Sequence, residues 1–386
     1  MKRVLFVSNG HGEEAIASRI ASELPRESYA CDHLALVGEF GHPSVMADVG
    51  PRRTMPSGGL IAMGNVRNIA RDVRGGLIGL TFAQLAFLRR IRGTYDCVVA
   101  VGDAFALFMS LLARAPAVFV GTAKSVYLAP YGPMEERIVA RARRVFVRDD
   151  ATARRLESHG LAAEAANVIT DLHRSGEESP LPAHDPFFAL FPGSREAAYA
   201  DAVFLTRVAA RLLRDRPGGG AALSIAPGLQ VHEFAQRLVA AGFRIAGRDD
   251  AREPFVVRDG EREIVRAYRG DIGAMISRAT LVLGQAGTAN EAAAAAGVPV
   301  VAFDLQGEKK GAWYRMRQSA LLGDALFVAD GSVDAACAQI GALLGDAARM
   351  RAMSETGRER MGEPGGARRI ASAIREVCAG AGTAAE

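Results

Sequence analysis

Four segments of the sequence carry residue types able to do chemistry, and each stands where a short apolar run gives way to a turn. Ser8-Asn9-Gly10-His11-Gly12-Glu13 follows Val4-Leu5-Phe6-Val7. Its glycines let the backbone turn sharply, and an imidazole there can accept a proton near neutral pH. His11 is either a catalytic or acceptor-binding group, or a polar residue lining a turn. Gly102-Asp103-Ala104 follows Val98-Val99-Ala100-Val101. Asp103 stands either to take a proton from an incoming hydroxyl or to cap the helix that begins at Ala104. In Phe191-Pro192-Gly193-Ser194-Arg195-Glu196, Gly193 permits close backbone approach, Ser194 supplies a hydroxyl and Arg195 can fork onto phosphate oxygens. Beside a helix N-terminus, which favours anions, that turn suits a diphosphate. The fullest unit is Gly284-Gln285-Ala286-Gly287-Thr288-Ala289-Asn290-Glu291-Ala292, followed by Gly297-Val298-Pro299. Gly287 and Thr288 open a helix whose amides face a phosphate, and Glu291, in its first turn, can accept hydrogen bonds from vicinal ribose hydroxyls. A carboxylate there also suits the helix dipole, which explains Glu291 alone but not the whole strand, Gly-Thr, Glu, helix, Gly-x-Pro unit.

The elements that must position these groups follow from the alternation around them. Val4–Val7, Val98–Val101, Ala117–Val120 and Val145–Val147 in the first half, and Ala189–Phe191, Leu223–Ile225, Leu281–Leu283 and Pro299–Phe303 in the second, are continuous apolar runs. Each is followed by a longer segment with helical spacing. Such runs alternating with amphipathic helices predict parallel sheets covered on both faces, the doubly wound α/β arrangement, and the 386-residue length accommodates two of them. The polar, proline-containing stretch from Thr170 to Asp185 lacks either periodicity and reads as the interdomain linker. The expected domains are 1–172 and 186–363. Gly362-Glu363-Pro364-Gly365-Gly366 then breaks the pattern before a last helix, within 364–380 and roughly Ala367 to Cys378, placed to pack back on the first domain.

Composition narrows the classes. With 49% hydrophobic and 23% charged residues the chain has enough apolar surface to fold. A net charge of +4 is too mild for a dedicated nucleic-acid binder. Between residues 52 and 92, however, eight arginines (Arg52, Arg53, Arg67, Arg71, Arg74, Arg89, Arg90 and Arg92) meet one acid, Asp72. They rim an apolar core of Leu77, Ile78, Leu80, Phe82, Leu85, Phe87 and Leu88. This region is either a surface for an anionic bilayer or a buried helix with a solvated basic end. The four cysteines, Cys31, Cys97, Cys337 and Cys378, have no Cys-x-x-Cys spacing, so neither a disulfide framework nor a zinc site is expected. No paired acids suggest another metal. The longest apolar stretch, Gly75–Leu88, is shorter than the ~20 residues a spanning helix needs. The first apolar run is too short for a secretory signal, and a cytoplasmic protein is expected.

The turn at 192–195 and the Gly-Thr-Ala-x-Glu helix at 287–291 resemble the nucleotide-binding half of lipid-A-disaccharide synthase. The His11-Gly12 loop is similar to that of the muramyl-pathway N-acetylglucosaminyltransferase. Ser8 to Glu13, with Pro56-Ser57-Gly58-Gly59 and Lys124-Ser125, most closely resembles the lipid-A-disaccharide-synthase-related proteins, over nearly the whole chain. The chain departs from the synthase at Asn9-Gly10-His11-Gly12 and at Asn167-Val168-Ile169-Thr170. The resemblance implies a GT-B architecture of two facing Rossmann-like domains with a cleft between them. It also implies an inverting, metal-independent glycosyltransferase that needs no cofactor beyond its UDP-sugar donor. Gly193, Ser194, Arg195, Gln285, Gly287, Thr288 and Glu291 would then hold the donor, with Glu291 on the ribose. Asn9, Gly10, Gly12, Ser57, Lys124 and Ser125 would meet a lipid-linked or other cell-envelope acceptor, with His11 or Asp103 as base. The enzyme would rest peripherally on the inner face of the cytoplasmic membrane. A UDP-sugar 2-epimerase and a catalytically inactive nucleotide-sugar-binding protein are the competing expectations.

Overall fold

The computed structural model describes residues 1–38, 45–53, 73–172, 179–305 and 309–380, with side chains for all of these except His11 and residues 309–312. The chain divides into two compact units, one made of Met1–Leu172 with Gly362–Glu386 and the other of His173–Met361.

The first unit is built on seven strands: β1 (Lys2–Ser8), β2 (Tyr29–Ala35), β3 (Ala47–Asp48), β4 (Cys97–Gly102), β5 (Ala117–Gly121), β6 (Arg144–Val147) and β7 (Glu164–Ala165). They lie in the order β3-β2-β1-β4-β5-β6-β7, and every neighbouring pair is parallel. The helices between them are α1 (His11–Ala21), α2 (Leu77–Arg90), α3 (Ala104–Leu111), α4 (Pro133–Val139), α5 (Asp150–Ser158) and α6 (Ile169–Leu172). Val4–Val7 of β1 and Cys97–Val101 of β4 are buried throughout, as strands covered on both faces must be. The strand order reverses between β1 and β4, so the turns after these two strands open the crevice where such sheets bind ligands.

Helix α2 buries one face of its apolar segment and exposes the other. Leu80, Gln84 and Leu88, at four-residue spacing, are buried against the sheet, while Ile78 and Phe82 are exposed. The buried amide of Gln84 is satisfied by the carbonyls of Ala35, Leu36 and Pro51, which ties α2 to the end of β2.

The second unit has eight strands: β8 (Phe187–Phe191), β9 (Gly220–Ser224), β10 (Arg244–Gly247), β11 (Phe255–Asp259), β12 (Arg262–Tyr268), β13 (Leu281–Gly284), β14 (Val300–Asp304) and β15 (Leu326–Asp330). Their order is β10-β11-β12-β9-β8-β13-β14-β15. The six strands from β12 to β15 pair in parallel, but β10–β11 and β11–β12 are antiparallel, so this sheet is mixed rather than wholly parallel. That edge carries charge: Arg266 pairs with Glu253 at 2.9 Å and with Glu263 at 2.8 Å. These strands mix arginine and glutamate with short apolar runs, the longest being Phe255–Val257. The helices are α7 (Ala198–Leu213), α8 (Val231–Ala240), α9 (Ile272–Ile276), α10 (Thr288–Ala295), α11 (Lys309–Leu322), α12 (Val333–Gly345) and α13 (Ala347–Met361).

The last helix, α14 (Gly366–Gly380), belongs to the first unit, where it packs on α1 and β4. Its start is fixed by Asp171, whose carboxylate accepts from Gly365 N at 2.6 Å and Ala367 N at 2.8 Å. Thr170 and Asp171, expected in a linker, therefore lie inside helix α6, and Asp171 caps α14.

Candidate active site

In the first unit the turns after β1, β4 and β5 bring together most of the residues expected to meet an acceptor. Gly10, in extended backbone, precedes α1 and supplies no side-chain cap. Gly102 has φ +140, and a Cβ on it would stand 3.0 Å from Asn9 Nδ2, so the Asn9 side chain lies directly over the end of β4. This contact requires glycine twice, for conformation and for space. Asp103 follows at once. Its Oδ1 accepts from Phe105 N at 3.0 Å and Ala106 N at 3.1 Å, the helix-capping role, which fixes the carboxylate and leaves Oδ2 without a partner among the described residues. The Lys124 ammonium is paired with Glu135 at 3.1 Å, and Glu135 also caps Gly132 N at 2.9 Å. Ser125 is fully buried, and its hydroxyl accepts from Tyr127 N at 3.2 Å. Ser125 thus holds the turn after β5 in shape rather than reaching outward. Gly12 lies in the first turn of α1. The His11 side chain and Ser57 lie outside the described residues.

Beneath the first loop is a polar cluster that sequence patterns did not reveal. Ser8 Oγ and His33 Nε2, both buried, are 2.9 Å apart, and His33 Nδ1 faces Asp48 Oδ1 at 3.6 Å. Arg52 pairs with Asp48 at 2.5 Å and donates to His33 O at 3.2 Å. The Arg52 guanidinium holds the Asp48 carboxyl below its ordinary value. Glu14, on α1, is buried with Oε1 lacking a hydrogen-bond partner among the described residues, and its carboxyl is pushed up to about 7 by burial first and by the Asp48 charge second, with Arg52 opposing. The available signal was its register, since Glu14, Ala17 and Ala21 line one face of α1.

In the second unit the turns after β8 and β13 emerge side by side, because Gly284 pairs with Phe191 and the Phe191 carbonyl accepts from both Gln285 N and Ala286 N. Gly193 has φ +111 with open space around it, and Ser194 and Arg195 are exposed. The Arg195 guanidinium has no hydrogen bond or ion pair among the described residues, so it is available to an anion. Next to it α10 opens at Gly287 without any side-chain cap, with Gly287 and Thr288 exposed and Glu291 in the first turn. An uncapped helix N-terminus and an exposed arginine on adjacent turns are groups that can accept an anion.

Gln285 has a different place from the one expected. Its amide donates to Phe303 O at 3.1 Å and accepts from Phe303 N at 3.3 Å, joining the loop after β13 to the end of β14. Two further residues clamp this loop and were missed from sequence. Asn290, wholly buried, donates to Gly284 O, and Gln318 donates to the carbonyls of Ala286 and Gly287. The one signal for Asn290 was an amide inside an alanine-rich helix. Among the described residues no cluster of His, Cys, Asp and Glu has metal-site geometry.

No family model and no curated protein matches the sequence. Solved structures do match its fold. A Listeria monocytogenes protein assigned as a UDP-N-acetylglucosamine 2-epimerase aligns with TM-score 0.60 and 14% identity over 97% of this chain and 96% of its own. Staphylococcus aureus MnaA, solved with UDP, aligns with TM-score 0.59 and 15% identity over 97% and 96%. Acinetobacter baumannii MurG aligns with TM-score 0.58 and 14% identity over 97% and 100%. The chain thus has the GT-B fold of these neighbours, two Rossmann-like α/β units. None of the helices, searched over the described residues, is long and apolar enough to cross a membrane.

Proposed function

We propose that this chain is an inverting glycosyltransferase that moves a sugar from a UDP-sugar to a lipid-linked or other cell-envelope acceptor, in the manner of lipid-A-disaccharide synthase and its related proteins. The observation that carries the donor half is the uncapped N-terminus of α10 beside the free Arg195. Arg195, with Gly193 and Ser194, takes the diphosphate from one side and the amides after Gly287 from the other, while Glu291 accepts from the ribose hydroxyls. These donors stabilise the charge that grows on UDP as it leaves, with no metal ion needed in the scheme. An acceptor hydroxyl attacks the anomeric carbon from the face opposite UDP, and His11 or Asp103 takes its proton. Asp103 suits the role in one respect: its cap bonds fix one carboxylate oxygen and leave the other open.

A lipid acceptor is supported by the surface of the first unit. Ile78 and Phe82 on α2, Phe105 and Phe108 on α3, and Met134 on α4 are exposed on helices packed in series, and Phe82 and Met134 are 67% and 74% exposed. Arg74, Arg89 and Arg90 flank α2. Apolar side chains rimmed by arginine suit an anionic bilayer, and so a peripheral enzyme on the cytoplasmic face of the membrane. The likeness to the Listeria protein favours a second reading, a UDP-sugar 2-epimerase. Incubation with UDP-N-acetylglucosamine and membrane lipids separates the two. Free UDP with a new glycoside supports transfer, whereas an epimerised sugar nucleotide with no glycoside overturns it.

A further inference from the structure

The loop between β13 and α10 is held from behind by one side chain of α11. Gln318 Nε2 donates to Ala286 O at 3.2 Å and to Gly287 O at 3.0 Å. Gln318 Oε1 accepts from Asn290 Nδ2 at 3.1 Å, and that nitrogen also donates to Gly284 O at 3.1 Å. Asn290 is wholly buried, and its Oδ1 has no hydrogen-bond partner among the described residues. That oxygen lies against Gly284, where a Cβ would collide with it. Asn290 therefore works through its donor end alone, and by fixing the Gln318 oxygen it keeps the Gln318 nitrogen on the loop.

The consequence falls on the opposite side of the loop. The two peptide bonds that Gln318 grips, Ala286–Gly287 and Gly287–Thr288, are trans. In a trans peptide the carbonyl and the following N–H point opposite ways. Drawing both carbonyls toward Gln318 thus turns the Gly287 and Thr288 N–H groups away from it. Neither N–H bonds to a described residue, whereas Gln285 N and Ala286 N just before them both donate to Phe191 O. Glu291 N closes the first turn of α10 on Gly287 O at 3.2 Å, so the helix and Gln318 share that carbonyl. A Cβ on Gly287 would meet no atom within 4 Å, which leaves room beside these amides.

We infer that Gln318 is a positioning residue of the donor site: through the Ala286 and Gly287 carbonyls it aims the Gly287 and Thr288 amides at the diphosphate of a nucleotide. The inference rests on the donor site proposed above and adds to it a residue that itself touches no ligand. A neutral amide behind the loop sets the direction of two N–H dipoles in advance and brings no charge of its own, so the loop need not reorganise when an anion arrives.

The test compares the wild-type chain with Q318M, whose side chain has similar length and volume but donates no hydrogen bond. Calorimetry with UDP, and displacement of UDP by uridine, give the two affinities. The variant should hold UDP roughly 10-fold more weakly and hold uridine, which has no phosphate, as the wild type does. In the wild type, UDP should also slow amide exchange at Gly287 and Thr288, a readout by NMR that needs no variant. Equal UDP affinity in Q318M, an equal loss for UDP and uridine, or unchanged exchange at both amides overturns the inference. If the wild type binds UDP in any of those cases, the donor site stands without this role for Gln318. A wild type that binds no UDP overturns both.

Discussion

Replacing Glu14 by glutamine makes a stability difference that depends on pH, and its size follows from the site. The carboxyl is buried, Oε1 has no hydrogen-bond partner among the described residues, and burial raises it to about 7 in the folded chain, against an ordinary value of 4.5. The folded state therefore holds a proton between these pH values that the unfolded state has released. Its contribution to stability is intact below pH 4.5 and declines as pH rises through 7. At about 1.4 kcal/mol per pH unit, the wild type carries a penalty of about 3 kcal/mol above pH 8. A glutamine side chain has the shape of the protonated acid and no proton to lose over this range. E14Q should match the wild type near pH 4.5 and surpass it progressively to pH 8. The assay is hydrogen exchange of the β1 and β4 amides at pH-corrected rates, since the single tryptophan, Trp313, reports on the second unit. A gain constant between pH 5 and 8, or a variant weaker at every pH, would refute the reasoning.

Asp103→Ala should cost about 1 kcal/mol through its lost cap, whereas Asp103→Asn keeps an accepting oxygen and most of the stability. If Asp103 is the base, the asparagine variant retains the fold and loses turnover, and if His11 is, that variant retains both. Denaturation and product assays on the pair distinguish these outcomes. Gln84→Leu should cost about 1–3 kcal/mol, because it orphans carbonyls of β2 and the following loop, and urea denaturation measures it. Ile78→Ser with Phe82→Ser should abolish flotation with anionic vesicles while leaving stability nearly unchanged, as both side chains are exposed. Equal flotation of the double variant would sink the membrane surface.

The strands that flank both candidate half-sites were legible because they are buried on both faces. Val98–Val101 and Leu281–Leu283 can be little else than central parallel strands. The turns after them were legible for a related reason, since Gly102, Gly193 and Gly287 stand where a strand must end abruptly. The meander β10–β12 was not read as strands, because Arg258, Glu263 and Arg266, joined in ion pairs, break its apolar residues into short runs such as Phe255–Val257 and Ile264–Val265. Buried polar groups were the least visible. Glu14, His33, Gln84 and Asn290 look like surface residues until the chain folds, and only the partners brought by distant segments explain their burial. Residue type likewise marked Gln285 and Ser125 as ligand-binding groups, whereas each is engaged by nearby backbone that only the folded loop supplies.

The donor site is tested most directly by calorimetry and thermal shift with UDP, ADP and GDP on the wild type, Arg195→Ala and Glu291→Gln. UDP at ~100 times its dissociation constant should stabilise the wild type by about 2.7 kcal/mol, with little effect from ADP or GDP. Losing the charge-assisted bonds of Arg195 should weaken UDP roughly 10- to 100-fold. No stabilisation by UDP, or equal stabilisation in both variants, would contradict a donor site at the turns after β8 and β13.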